Sequence, residues 1–146
     1  MFNVRATTDI TIMSLDFFPK KDGDASVEIY TKLGSYEGSE ENEKDWDIIV
    51  DQQISLRRND IAPMEDLVEG GVFIPAGEVR AFLISSNRGL LFGNGQKENI
   101  LYQSDGKLQV FSGISQKRAF QTKKEVGEWT GKISYVASRA AVLGNR

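Results

Sequence analysis

The stretch Ile100–Gly113, ILYQSDGKLQVFSG, constrains the fold of this chain more than any other. Two short runs of alternating apolar and polar residues flank Ser104-Asp105-Gly106-Lys107. Alternation with a period of two sends one set of side chains to each face of a strand. Asp-Gly can take positive φ at both central positions of a tight turn, so the pair predicts a two-residue hairpin.

The same grammar recurs along the chain. Strands are expected at Met1–Ala6, Ile10–Asp16, Ala25–Thr31, Trp46–Leu56, Gly71–Ile74, Val79–Ser85, Leu90–Phe92 and Gly131–Ala137. In the second, Thr11, Met13 and Leu15 are expected on one face and Ile10, Ile12 and Ser14 on the other. Pro75-Ala76-Gly77-Glu78 reads as a proline-led turn. Ser86-Asn87-Arg88-Gly89 is expected to join its neighbours as a second hairpin. Neither Gly38–Asp47 nor Ser138–Leu143 makes a convincing amphipathic helix: the first is too acidic, the second too short. Many short strands without intervening helices predict an all-β, antiparallel two-sheet sandwich, jelly-roll-like, of eight to ten short strands. The first strand is expected beside the last. Residues 1–137 form the expected domain, and 138–146 a C-terminal tail or linker. Leu33–Asp45, Arg57–Gly70 and Ile114–Thr130 are expected as long loops, where function on a β scaffold usually sits.

Composition narrows the chemistry. The chain has no cysteine and no histidine, which removes disulfides, thiolate metal sites, cysteine nucleophiles and the commonest general base. No enzyme activity and no cofactor are therefore expected, with a carboxylate-based glycan-active enzyme as the residual catalytic alternative. The longest apolar runs reach four or five residues, too short for membrane insertion, and the first five residues lack the apolar core of a signal peptide. Net charge is −3, but residues 1–70 carry −9 and residues 71–146 carry +6. Such asymmetry marks either complementary association surfaces or interleaved strands.

A whole-domain resemblance adds to this pattern. Met1-Phe2-Asn3-Val4, Val27-Glu28-Ile29-Tyr30, Gly34-Ser35-Tyr36-Glu37-Gly38 and Trp46 are similar to successive pieces of a jelly-roll-like β-sandwich module. So are Ile74-Pro75-Ala76-Gly77, Leu108-Gln109-Val110-Phe111 and the closing Trp129, Gly131, Ile133 and Tyr135. That module is repeated in large secreted or surface proteins of diatoms and some bacteria. The chain departs from it at Leu56–Gly70, which is charged, and at Gln116–Glu128, which is basic. The resemblance implies a sandwich fold, a surface role and an extracellular or cell-surface location, and it assigns no chemistry.

Four residue sets are candidate sites. Tyr36, between two glycines, is expected to be the best exposed ring, and with Trp46 it forms the candidate ligand-binding platform for a glycan. Glu40, Glu41, Glu43 and Asp45 crowd one loop, and Lys117, Arg118, Lys123 and Lys124 bracket Phe120 in another. These two sets are the candidate interface, the acidic loop of one copy meeting the basic loop of the next. Four charges and one ring in an acidic chain fall short of a nucleic-acid site. Asp22 and Asp24 flank Gly23 and read either as a polar turn or as a calcium pair. A non-catalytic module for protein–protein or surface contacts is the expected function, self-assembling in its sharper form, with a carbohydrate-binding module as the alternative. The expected partner is a protein or a second copy of the chain.

Overall fold

The computed structural model describes residues 1–64, 67, 70–122 and 124–137. The expected tail at 138–146 lies outside the described residues. The fold is all-β, and every strand pairing in its sheets is antiparallel. Among the described residues, twelve strands divide among three sheets of six, three and three strands. In chain order they are β1 (Phe2–Ala6), β2 (Ile10–Phe17), β3 (Gly23–Leu33), β4 (Asp47–Leu56), β5 (Val72–Ile74) and β6 (Val79–Ser86). There follow β7 (Phe92–Asn94), β8 (Leu101–Ser104), β9 (Leu108–Phe111), β10 (Gly113–Gln116), β11 (Lys124–Trp129) and β12 (Gly131–Ala137). One 3₁₀ turn, Glu43–Asp45, is the only helical element among the described residues. No helix there is long and apolar enough to cross a membrane, which says nothing of strands.

The large sheet runs β4-β3-β6-β1-β9-β8, and the small ones run β10-β11-β7 and β12-β2-β5. The opening hairpin is present as β8 and β9, with Ser104 opposite Gln109. Its turn differs from the expected one: Gly106 alone takes positive φ, at 90°. Asp105 instead closes the turn through its side chain, whose Oδ1 accepts the N–H groups of Lys107 and Leu108 at 2.9 Å each.

Three expectations about strand placement are corrected. β1 lies between β6 and β9, not beside β12. The turn at Ser86–Gly89 forms, with the Gly89 N–H bonded to the Ser86 carbonyl at 3.0 Å, but β7 does not pair with β6. A strand has two edges, and β3 and β1 already occupy both edges of β6. β7 pairs with β11 instead. Finally, the long loop expected at Ile114–Thr130 contains the β10–β11 hairpin, with Ile114 opposite Val126.

Register explains where the core sits. Ile10, Ile12, Leu15 and Phe17 are all fully buried, which strict alternation forbids. Ser134 faces Ser14 while Tyr135 faces Ile12, so Met13 is an extra residue on β2. This bulge resets the parity and returns Leu15 to the face of Ile12, correcting the expected grouping of Leu15 with Met13. β6 is buried on both sides for a different reason. Phe82 and Ile84 join the main core with Phe2, Val27 and Ile29, while Ala81 and Leu83 join a second cluster with Tyr30, Tyr36, Trp46 and Ile114. The large sheet is thus covered on both faces at β6.

Candidate functional site

The second cluster organises the loops that carry the charged residues. Its floor is Tyr30, Ala81 and Leu83 of the large sheet, and the Gly34–Trp46 segment lies over it. Phe120, at the tip of the β10–β11 hairpin, approaches edge-on to Tyr30 and Trp46, with ring centroids 5.2 and 6.2 Å apart. The acidic loop and the basic hairpin therefore share one apolar anchor.

Tyr36 is the main correction. Its ring is 0% exposed and plugs the cluster instead of offering a platform. The Tyr36 N–H donates to the side chain of buried Asn3 at 3.0 Å, and its hydroxyl donates to Glu98 at 2.9 Å. Asn3 also donates to Ser35 and Asn99, at 2.8 and 3.0 Å. Gly34 and Gly38, with φ of 78° and 89°, turn the chain down and out again around the ring. Trp46 is buried as well, its indole N–H donating to the Ser39 carbonyl at 2.9 Å. A large ring enclosed between glycine turns has more to gain from burial than from solvent exposure.

Glu40 and Lys124 form an ion pair at 3.3 Å within one chain. Gln116 reinforces it, donating to the Glu40 carbonyl at 3.0 Å. Burial alone would push the Glu40 carboxyl up, but its own N–H, that of Gly38 and the Lys124 ammonium carry it below the ordinary carboxylate value. This member of each charged set has its partner at home. Glu41, Glu43 and Asp45 remain exposed, although the Ser39 hydroxyl donates to Asp45 at 2.7 Å. Lys117 and Arg118 are exposed at the hairpin tip, and Lys123 lies outside the described residues.

A cavity of about 380 Å³ opens beside this hairpin. Lys20, Lys117, Arg118 and Lys124 line it together with Glu125, Leu83 and Ile114. The sequence pointed to three of these cations. Lys20 joins them from the turn after β2, because Pro19 bridges to Leu90 and carries that turn to the cavity wall. No local pattern marks Lys20 as part of the set. Asp22 takes a structural role, accepting the Arg58 N–H at 2.6 Å, and among the described residues no group of three or more acidic side chains converges as a metal site.

The fold and cavity define an all-β domain with a cationic recess on one face. Comparison with protein-family models, with curated proteins and with solved structures gave no match.

Proposed function

We propose that this domain is a non-catalytic contact module whose cationic recess receives an acidic segment of a protein partner. One observation carries the proposal: separate parts of an acidic chain deliver Lys20, Lys117 and Arg118, beside the Glu40-paired Lys124, to the lining of one cavity that holds a single acid among the described residues, Glu125. Like charges held together repel one another, and a complementary partner relieves that repulsion while steering association. A chain without histidine or cysteine supports a binding role over catalysis. A jelly-roll-like, two-layer sandwich fits such a module. Its support is the main core, which takes side chains from the large sheet on one side and from β2 and β5 on the other.

In the self-assembling form, the partner segment is the exposed Glu41, Glu43 and Asp45 of a second copy. The acidic and basic patches lie next to each other, joined by Glu40 and Lys124, so the same surface could pair with itself about a two-fold axis. Poly-L-glutamate serves as the probe for an acidic segment, and light scattering reports self-association. Binding should weaken steeply between about 20 and 500 mM salt and disappear in a Lys117→Glu/Arg118→Glu variant. Unchanged binding by that variant, or none by the natural chain at low salt, would remove the proposal.

A further inference from the structure

A second recess lies at the mouth between β8 and β12, away from the charged hairpin. It encloses about 600 Å³, within the roughly 300–1,000 Å³ of small-molecule sites. β8 and β12 are edge strands of different sheets, so among the described residues no strand pairs with the outer side of either. Leu108, Val110 and Ile133 supply apolar lining, and Tyr102 and Tyr135 flank them. Asp105, Glu128 and Lys132 add charged groups.

Two features show that the groove is built. Leu101 pairs with Phe111 while Gln103 pairs with Val110, so Tyr102 is the extra residue of a bulge, a device that re-aims a side chain. Its hydroxyl donates to the Trp129 carbonyl at 2.7 Å, tying β8 to the end of β11. Trp129 supplies the second feature. It is 5% exposed, borders the groove, and its indole N–H is the one buried side-chain polar atom without a partner among the described residues. The ring cannot readily turn to find an acceptor, because it stacks on Phe2 with centroids 4.7 Å apart and planes 8° apart.

We infer that this groove binds a neutral saccharide. A pyranose has an apolar C–H face for the tyrosine rings and for Leu108, Val110 and Ile133. Its hydroxyls both donate and accept, so they can donate to Asp105 and Glu128 and accept from Lys132 and the Trp129 indole. Solvent does not reach that indole nitrogen, so its N–H meets a ligand oxygen only as the side chains around it shift on binding. Two carboxylates against one ammonium disfavour an anionic ligand.

The test titrates the domain with cellotriose, laminaritriose, mannotriose and chitotriose, following intrinsic fluorescence. Trp46 sits in the other cluster, so Trp129 is the tryptophan beside the groove. At least one sugar should give a saturable change. Tyr135→Ala should weaken its affinity about tenfold or more, and Gln103→Phe, which fills the groove from its exposed rim, should abolish binding. Circular dichroism checks that both variants fold. Lys117→Glu/Arg118→Glu should bind the sugar normally, which separates this site from the cationic recess. No binding of any of the four up to about 10 mM, equal binding by folded Gln103→Phe, or preference for trigalacturonate would each overturn the inference.

Discussion

Tyr135 on β12 donates its hydroxyl to the Asp105 carboxylate in the β8–β9 turn, joining two sheets that share no strand pairing. The same carboxylate, through its other oxygen, holds the turn by accepting the Lys107 and Leu108 N–H groups. One side chain thus closes the hairpin and sets the width of the groove mouth.

Acid should reveal this double role. The Tyr135 hydroxyl holds the Asp105 carboxyl below its ordinary value of 3.8; burial pushes the other way less strongly, and the Leu108, Lys107 and Asp105 N–H groups add smaller lowering contributions. A lowered folded-state value means that stability is present above pH 3.8 and lost as pH falls through the lowered value. Thermal midpoints measured from about pH 6 down to 2 should fall more steeply in the natural protein than in Asp105→Asn. At neutral pH Asp105→Ala should cost about 1–3 kcal/mol, because it orphans turn N–H groups. Parallel acid limbs in Asp105→Asn and the natural chain would show that the carboxylate is not the linked group.

All four tyrosines of the chain have raised phenol values. Burial is the largest cause in each, and Glu28, Glu98, Glu128 and Asp105 add to it at Tyr30, Tyr36, Tyr102 and Tyr135 respectively. Tyr135 is pushed up to about 12, and the others lie higher. A raised folded-state value gives stability that is full below the ordinary value of 10 and lost as pH rises through the raised one. Tyrosinate absorbance should therefore stay flat past pH 10 and rise together with loss of the β-sheet signal. A free titration near pH 10 in a folded chain would contradict this burial.

Tyr36 should behave as a core residue. Tyr36→Ala should destabilise by about 3–5 kcal/mol through the cavity it leaves, and Tyr36→Phe by about 1 kcal/mol through the lost bond to Glu98. Denaturant midpoints measure both, and a neutral Tyr36→Ala would contradict the plugged arrangement.

Gly113 and Gly131 should tolerate no side chain, for reasons of space. A Cβ at Gly113 would overlap the Met1 carbonyl oxygen, and one at Gly131 the Asp16 carbonyl oxygen. Backbone must move in both cases, so each alanine variant should lose at least about 2 kcal/mol. At Gly106, where a Cβ meets open space, the cost should be limited to the positive φ, about 1–2 kcal/mol.

The Glu40–Lys124 pair should contribute little stability despite its central position. The Lys124 side chain is 40% exposed, and exposed pairs typically couple by about 0–1 kcal/mol. A double-mutant cycle with Glu40→Gln and Lys124→Gln should give a value in that range, shrinking with salt.

Strand existence was legible because it follows from local properties. Alternation, turn residues and the lack of a helical stripe mark β2, β3, β6, β8 and β9, and each lies within two residues of its expected limits. Pairing beyond the β8–β9 hairpin was not legible. The placement of β1 between β6 and β9, and of β7 on β11, depends on which strand edges remain free once the others are taken. The parity of Leu15 escaped pattern reading because one bulge at Met13 inverts it. Tyr36 looked exposed because its neighbours are glycines and acids, and only the closeness of Asn3 and Glu98, 33 and 62 residues away in the chain, makes it a plug.

Both candidate sites show the same division. Read alone, the residues specified an all-β chain without histidine or cysteine chemistry, and two oppositely charged loops. Folding decided that those loops meet within one molecule, that Lys20 joins Lys117, Arg118 and Lys124, and that Tyr102, Trp129 and Tyr135 border one groove. A strand's faces are set by its own alternation, whereas its neighbours are set by competition among all strands for a limited number of edges. A site assembled from four strands is therefore written in the pairing order, which no local stretch of the chain contains.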